Sequence, residues 1–156
     1  MAKRERRPLP PLVGKHGNPP QLAKNARRAW GEWLDEAESW EHFATLTFDF
    51  DCSPVSAVRY FAKWLRRLER KAQQQVGWFY VVEPGAAGQA HLHVLLSGTS
   101  RLGAEGCRSA WANGRAQVDE YEKGGGASRY VAKTLDCDSA EYDLKLRRGR
   151  PRSQRA

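Results

Sequence analysis

Two histidines placed two positions apart in an apolar run are the residues of this sequence with the clearest chemical potential. They are His91 and His93 in the segment AHLHVLL, residues 90–96. Because successive side chains of a β-strand point to opposite faces, both imidazoles lie on one face and the leucines and valine on the other. Neighbouring imidazole nitrogens can hold a divalent metal ion. The same pattern also fits a half-solvated strand with two polar residues facing outward.

A carboxylate ends the preceding apolar run, GWFYVVE at residues 77–83. A glycine-rich connection between two neighbouring strands favours antiparallel pairing, which brings the end of one strand beside the start of the next. We therefore expect Glu83 to lie close to His91 and His93 on the same face. Two imidazoles and one carboxylate, with other positions open to water and phosphate oxygen, suit Mn²⁺ or Mg²⁺ better than a closed zinc site.

Composition limits the class of protein. The chain has 156 residues, 40% of them hydrophobic, and a formal charge of +8. This length predicts one domain, and the basic charge favours a polyanionic partner, for which nucleic acid is the first choice. No apolar run approaches the roughly 20 residues that cross a bilayer, so we expect no membrane partner. The three cysteines form no CxxC pair, which favours reduced thiols in the cytoplasm over disulfides or a thiolate zinc site.

The basic residues concentrate at the two ends of the chain. Residues 1–20 mix lysine and arginine with proline and glycine, which predicts a flexible basic arm, and residues 139–156 predict a second, disordered basic tail. Within that tail, RGRP at residues 148–151 resembles the core of an AT-hook, although general phosphate binding needs no such motif. The folded domain is predicted to span residues 21–138.

Between these ends, helical and strand patterns alternate. Apolar spacing predicts amphipathic helices at residues 21–40, where one helix or two meet around Gly31, and after Pro54, with Ser53 as N-cap. Further patterns predict strands at 42–48, 77–83, 90–96 and 115–121, and helices at 102–111 and 127–136. The sequence therefore predicts an α+β fold with a central antiparallel sheet of four to five strands and helices packed on it.

A tyrosine and a lysine share one flank of the last predicted helix. Tyr130 and Lys133 are three positions apart in ASRYVAKTLD, so they are neighbours on a helix surface. A phenol positioned in line with a phosphodiester can attack phosphorus, and a nearby ammonium can neutralise the charge that develops. Taken alone, the pair also fits a partly buried tyrosine beside a solvated lysine.

Three motifs in order give the chain a family resemblance. FATLTF at residues 43–48, the histidine pair with Glu83 upstream, and YVAK at residues 130–133 resemble the motifs of an HUH endonuclease, of the single-tyrosine rolling-circle replication initiator type. The resemblance covers about residues 40–136. It implies an RRM-like palm and metal-dependent nicking and rejoining of single-stranded DNA. The position one helical turn before Tyr130 is Gly126, so the two-tyrosine form of the family is not expected.

The resemblance also implies roles for residues. Tyr130 would be the nucleophile, assisted by Lys133, with Mn²⁺ or Mg²⁺ held by Glu83, His91 and His93. The DNA would stay attached through its 5′ phosphate and a free 3′-OH would be released. No GxxxxGK[ST] loop is present, so a separate host helicase would act beside a polymerase on the origin hairpin.

Binding requires further residues. The expected DNA contacts are Thr45, Thr47, Arg129, Arg148, Arg150 and Arg152, and the basic exterior of the helix after Pro54 would follow phosphates together with both tails. Bases would stack on Trp64, Trp78, Phe79 or Tyr80 if these rings are not buried in the core. Two alternatives stay open: a single-tyrosine transposase of the same superfamily, and a non-catalytic module that binds single strands.

Overall fold

The computed structural model describes residues 19–83, 89–126 and 141–147 of the chain. Its helices are α1 (Pro19–Ala37), α2 (Pro54–Ala72) and α3 (Gly103–Ser109). Its strands are β1 (His42–Leu46), β2 (Gly77–Glu83), β3 (His91–Ser97), β4 (Ala116–Glu120) and β5 (Glu141–Lys145). No helix in these ranges is long and apolar enough to cross a membrane.

The described strands form one sheet in the order β4-β1-β3-β2-β5, and every neighbouring pair is antiparallel. The predicted α+β fold, an antiparallel sheet with helices packed on it, is confirmed. Strands that are adjacent in sequence, β2 and β3, pair directly, whereas β1 inserts between β3 and β4. Because β3 lies at the centre of the sheet, its histidines are flanked by strands on both sides.

One face of the sheet packs against α2 and α3. The amphipathic spacing of α2 buries Phe61, Trp64 and Leu68 against Leu92 and Val94 of β3. Trp64 donates its indole N–H to the carbonyl of Cys107 at 3.0 Å, so the polar atom of this buried ring is satisfied. The hydroxyl of Ser53 accepts the backbone N–H of Ser56 at 3.2 Å, which confirms the predicted N-cap.

The opposite face packs against α1. Trp30 and Leu34 of α1 are buried against Phe79, Val81 and Leu95 of the sheet. The helix is continuous through Gly31, so the choice between one helix and two is settled in favour of one. The indole N–H of Trp40 donates to the carbonyl of Leu34 at 2.7 Å and holds the chain where it turns from α1 into β1.

The prediction of a disordered tail from residue 139 is wrong for residues 141–147. Glu141–Lys145 form β5, which pairs with β2 from Trp78↔Lys145 to Val82↔Glu141. Tyr142 and Leu144 pack in the α1-side core, so the strand is held by apolar contacts as well as by the ladder. Its exposed positions are polar or charged, as expected of an edge strand, and this local polarity explains why the sequence resembled a tail.

Candidate functional site

The register of three strands brings the predicted metal ligands to one end of the sheet. Glu83 of β2 lies directly opposite His91 of β3, while His93 lies between Val81 of β2 and Thr45 of β1. Directly opposed residues share a face, so all four polar side chains lie on the face that α1 covers. We call this end of that face, defined by Thr45, Glu83, His91 and His93, the site end. The predicted register is confirmed.

A short hydrogen bond joins two of these side chains. Nε2 of His93 lies 2.6 Å from Oε2 of Glu83, and its Nδ1 lies 3.5 Å from the Thr45 hydroxyl. The His93 side chain is 4% exposed and the Glu83 side chain 45%. The imidazole is therefore fixed from two neighbouring strands, whereas the carboxylate remains open to solvent. His91, Thr45 and Thr47 are also partly exposed, because the described part of α1 packs on the other end of this face.

The residue types at the site end fit a divalent cation. In the described ranges, no three His, Cys, Asp or Glu side chains are arranged to hold an ion as they stand, since Glu83 bonds His93 directly. However, two ligands at a right angle around an ion with bonds of about 2.1 Å lie about 3 Å apart. The observed 2.6 Å between Nε2 and Oε2 is within a few tenths of an ångström of that separation. His91, on the same face, supplies the second imidazole.

The end of β1 beside the site is held by a close backbone approach at Gly114. Thr47 accepts the indole N–H of Trp111 on its carbonyl at 3.1 Å, and its own N–H donates to the carbonyl of Arg115 at 2.9 Å. A Cβ on Gly114 would lie 2.3 Å from the Thr47 oxygen and 2.8 Å from Cα of Phe48. Both are backbone atoms, so a side chain here would push the end of β1 away from its place.

We expect Gly114→Ala to lower the free energy of unfolding by about 3 kcal/mol, the usual range for overpacking against atoms that cannot move away. Gly124→Ala is the control, because a Cβ there meets no atom within 4 Å although its φ is +77°. That substitution should cost only about 1 kcal/mol for the left-handed conformation. Urea denaturation of both variants measures the difference, and equal losses would refute the steric account.

His42, which was not expected to join the site, lies at the other end of β1 and on the opposite face. Its Nδ1 is 2.6 Å from the Thr99 hydroxyl, and the Glu41 carboxylate accepts the backbone N–H groups of Thr99 and Ser100. Burial lowers the pKa of His42 below 6.5, and the charges of Glu41 and Glu120 oppose this only in part. The ring is part of a structural hydrogen-bonded cluster.

This burial predicts a pH dependence of stability. A histidine with a lowered pKa in the folded state takes up its proton more readily in the unfolded state, so stability falls as the pH drops below 6.5. Urea denaturation at about pH 7.5 and pH 5.5 should show a smaller loss for His42→Gln than for the wild type. The other histidines are unchanged between the two proteins. An identical loss in both would show that His42 does not contribute.

Several predicted site residues lie outside the described residues, and their roles stay predictions: Arg129, Tyr130, Lys133, Arg148, Arg150 and Arg152. Among the predicted stacking rings, Trp64, Phe79 and Tyr80 are buried in the core. The sequence analysis missed Phe50, which it placed in the turn before α2 and which is exposed. Its alternation with Phe48 after the first strand was the available signal.

The fold and the site define a class: an antiparallel α+β protein whose central strand presents two imidazoles beside a carboxylate. A family model for replication-associated proteins of the ORF2 group matches residues 41–136, and the chain belongs to this family. The match spans β1 to β4 and both motifs that follow β1, while α1 and β5 lie outside it. It supports a Rep-type replication initiator. No curated protein and no solved structure matched the chain.

Proposed function

We propose that this protein is an HUH endonuclease with a single catalytic tyrosine, which nicks and rejoins single-stranded DNA at a replication origin. The observation that carries the proposal is the Glu83–His93 contact of 2.6 Å, with His91 directly opposite Glu83. A buried imidazole held by a solvent-accessible carboxylate beside a second imidazole is a set of groups suited to a catalytic cation. Membership of a replication-associated family supports DNA as the substrate.

The described tyrosines support Tyr130 as the nucleophile, because each is engaged elsewhere. Tyr60 and Tyr80 lie on the α2 side of the sheet, and burial raises the pKa of Tyr80, with Asp143 and Glu141 adding to the shift. The Tyr121 hydroxyl donates to Asp35, and Tyr142 packs its ring against Trp30 at a centroid distance of 5.4 Å.

Chain connectivity also supports Tyr130. β4 ends at Glu120, opposite His42 and far from the site end, while β5 begins at Glu141, opposite Val82 and one position from Glu83. Residues 121–140 therefore connect one edge of the sheet to the other and arrive at the site end. Tyr130 and Lys133 belong to this connection.

The proposed chemistry is a transesterification. The Tyr130 oxygen attacks the scissile phosphorus, a new oxygen–phosphorus bond forms to the 5′ side, and the bond to the 3′ oxygen breaks, so that this oxygen leaves and takes a proton. A cation held by Glu83, His91 and His93, Mn²⁺ or Mg²⁺, would polarise the phosphate. Lys133 would neutralise charge on the phosphate oxygens. Since one ester replaces another, a 3′-OH can reverse the step and rejoin the strand.

The chain's own residues set the position of these groups. Glu83 fixes the orientation of the His93 ring, and Thr45 approaches its other nitrogen from β1. The Thr47 hydroxyl donates to the carbonyl of Arg115 at 3.1 Å, so it serves the local structure and leaves less capacity for DNA than predicted. Arg129, Arg148, Arg150 and Arg152 would follow the phosphates of the origin hairpin, with a host helicase and polymerase acting separately.

The test is a denaturing gel of the protein mixed with end-labelled single-stranded oligonucleotides from its own replicon, in Mn²⁺ or in EDTA. We expect a metal-dependent band of protein joined to DNA that survives denaturation, together with a shorter product carrying a 3′-OH. Peptide mapping of the band should place the DNA on Tyr130. Binding to a set of hairpins with neither cleavage nor adduct would overturn the proposal and favour the non-catalytic binding module.

A further inference from the structure

An aromatic ring stands exposed just after β1. Phe50 is 40% exposed, although most large apolar side chains in the described ranges are buried. Its ring meets Phe48 and Tyr60 edge to face, with centroid distances of 5.7 Å and 5.4 Å. These contacts hold one part of the ring in place and leave another part open to solvent. An exposed and positioned ring is a surface on which a flat partner can stack.

The position of Phe50 relates it to the site end of the sheet. The segment that follows β1 forms a parallel bridge between Cys52 and Gln89, and Gln89 precedes His91 by two positions. Thr47, at the end of β1, is three positions before Phe50. Phe50 therefore lies at the same end of the sheet as the imidazole pair, on the side where α2 begins.

A row of positive charges runs along α2 from this end of the sheet. Arg59, Lys63, Arg66 and Arg70 are all exposed and recur at spacings of four, three and four. On a helix with 3.6 residues per turn they fall within about 60° of one another and span about 16 Å. Within the described part of the chain none of the four forms an ion pair. The one acidic residue of α2, Glu69, is directed to the backbone N–H of Val76.

The ring and the charges are continuous. Tyr60 contacts Phe50, and the ammonium of Lys63 lies 5.5 Å from the centroid of the Tyr60 ring. We propose that Phe50, Tyr60 and the row Arg59, Lys63, Arg66 and Arg70 form a second DNA-binding strip, which holds the unpaired strand flanking the nick as it leaves the site end. This deepens the proposed function and rests on single-stranded DNA being its substrate.

Single-stranded DNA fits the strip better than a duplex. Bases in a duplex are stacked on each other, so only an unpaired base can lie on the Phe50 ring. The exposed carboxylates of Asp49 and Asp51 flank Phe50 and repel phosphates. This arrangement favours a base at Phe50 and phosphates farther along, over Lys63 and the arginines. Because α2 lies on the face opposite the imidazole pair, the strip contacts different nucleotides from those at the nick.

The first arm of the test measures affinity for a fluorescein-labelled oligothymidine by anisotropy in EDTA, where no cleavage takes place. Phe50→Ala should weaken binding about 5- to 100-fold, the loss that follows from removing one base–aromatic stack. Phe50→Trp should restore it. Val55→Ala is the matched control, since Val55 is a 61% exposed apolar side chain of α2 that carries no ring. Thermal unfolding verifies that each variant is folded.

The second arm measures how binding depends on salt. Replacing Lys63, Arg66 and Arg70 together by glutamine should lower the slope of log K against log salt by about 2, from about 0.7 for each lost phosphate contact on a single strand. Arg28, Arg101 and Lys123 replaced by glutamine give the same change in net charge, away from the row. This control should leave the slope unchanged.

Three results would overturn the strip: wild-type affinity in Phe50→Ala, an equal loss of slope in the charge control, or an equal loss of duplex affinity in Phe50→Ala. The adduct gel separates this inference from the proposed function. An adduct with no effect of Phe50 on affinity would refute the strip alone. Binding that depends on Phe50 without any adduct would refute the nuclease and leave the strip in place.

Discussion

Tyr130→Phe should abolish the covalent adduct between protein and DNA, with a fall in nicking rate of at least about 10³-fold. The substitution removes only the oxygen that attacks phosphorus and keeps the ring, so affinity for the oligonucleotide in EDTA should stay within about twofold of wild type. Adduct formation is followed on denaturing gels, and affinity by anisotropy. The separation of the two readouts distinguishes a lost nucleophile from a lost binding surface.

Tyr142→Phe is the matched control for this experiment. Tyr142 is on β5, its ring packs between Trp30 and Phe79, and its strand partner is Val81, next to His93 in the ladder. It is the described tyrosine whose strand position comes nearest to the imidazole pair. Normal adduct in Tyr142→Phe and none in Tyr130→Phe would assign the nucleophile. The reverse pattern would transfer that role to β5 and contradict the family motif.

Glu83→Gln should lower the nicking rate about 100-fold, the scale on which supporting and ligating carboxylates act at metal sites. The change keeps the shape of the side chain but removes its charge, so the His93 ring loses its 2.6 Å carboxylate partner and a cation loses an anionic ligand. Part of the loss should be recovered by a higher Mn²⁺ concentration, because weaker affinity for the ion is one of its causes. Single-turnover cleavage across a Mn²⁺ titration measures both effects.

The control for Glu83 is Glu141→Gln. Glu141 is an exposed carboxylate on the neighbouring strand, and it pairs with Val82, so it lies on the opposite face of the sheet from His93. It carries the same charge change within one residue of the site in the ladder. Its rate should match wild type. Equal losses in the two variants would show that general charge near the sheet edge, and not the Glu83–His93 contact, supports the activity.

Much of the site followed from local patterns. Alternation along a strand was enough to place His91 and His93 on one face, and the glycine-rich connection was enough to pair β2 with β3 and bring Glu83 opposite His91. The N-cap at Ser53 and the buried face of α2 followed equally, since capping and helical periodicity depend on residues within a few positions of one another.

Tertiary structure decided what depends on distant partners. The insertion of β1 between β3 and β4, and the pairing of β5 with β2, depend on which edges are free after the rest of the sheet has formed. Residues 141–145 read as a polar tail because an edge strand buries only alternate side chains, and their apolar partners lie in α1 and β2. The packing of α1 on one half of the site face had no local signal either.

The exposure of Phe50 shows the same limit. By itself, FDFD after a strand does not state which phenylalanine is buried, and the structure decides it by packing Phe48 against Trp111 and leaving Phe50 at the surface. Sequence alone determined which chemical groups the chain owns and which of them share a strand or a helix face, because those relations are local. Only the tertiary structure determined how far apart they lie, which carboxylate bonds which imidazole, and which rings remain available to a ligand, because these depend on contacts between distant segments.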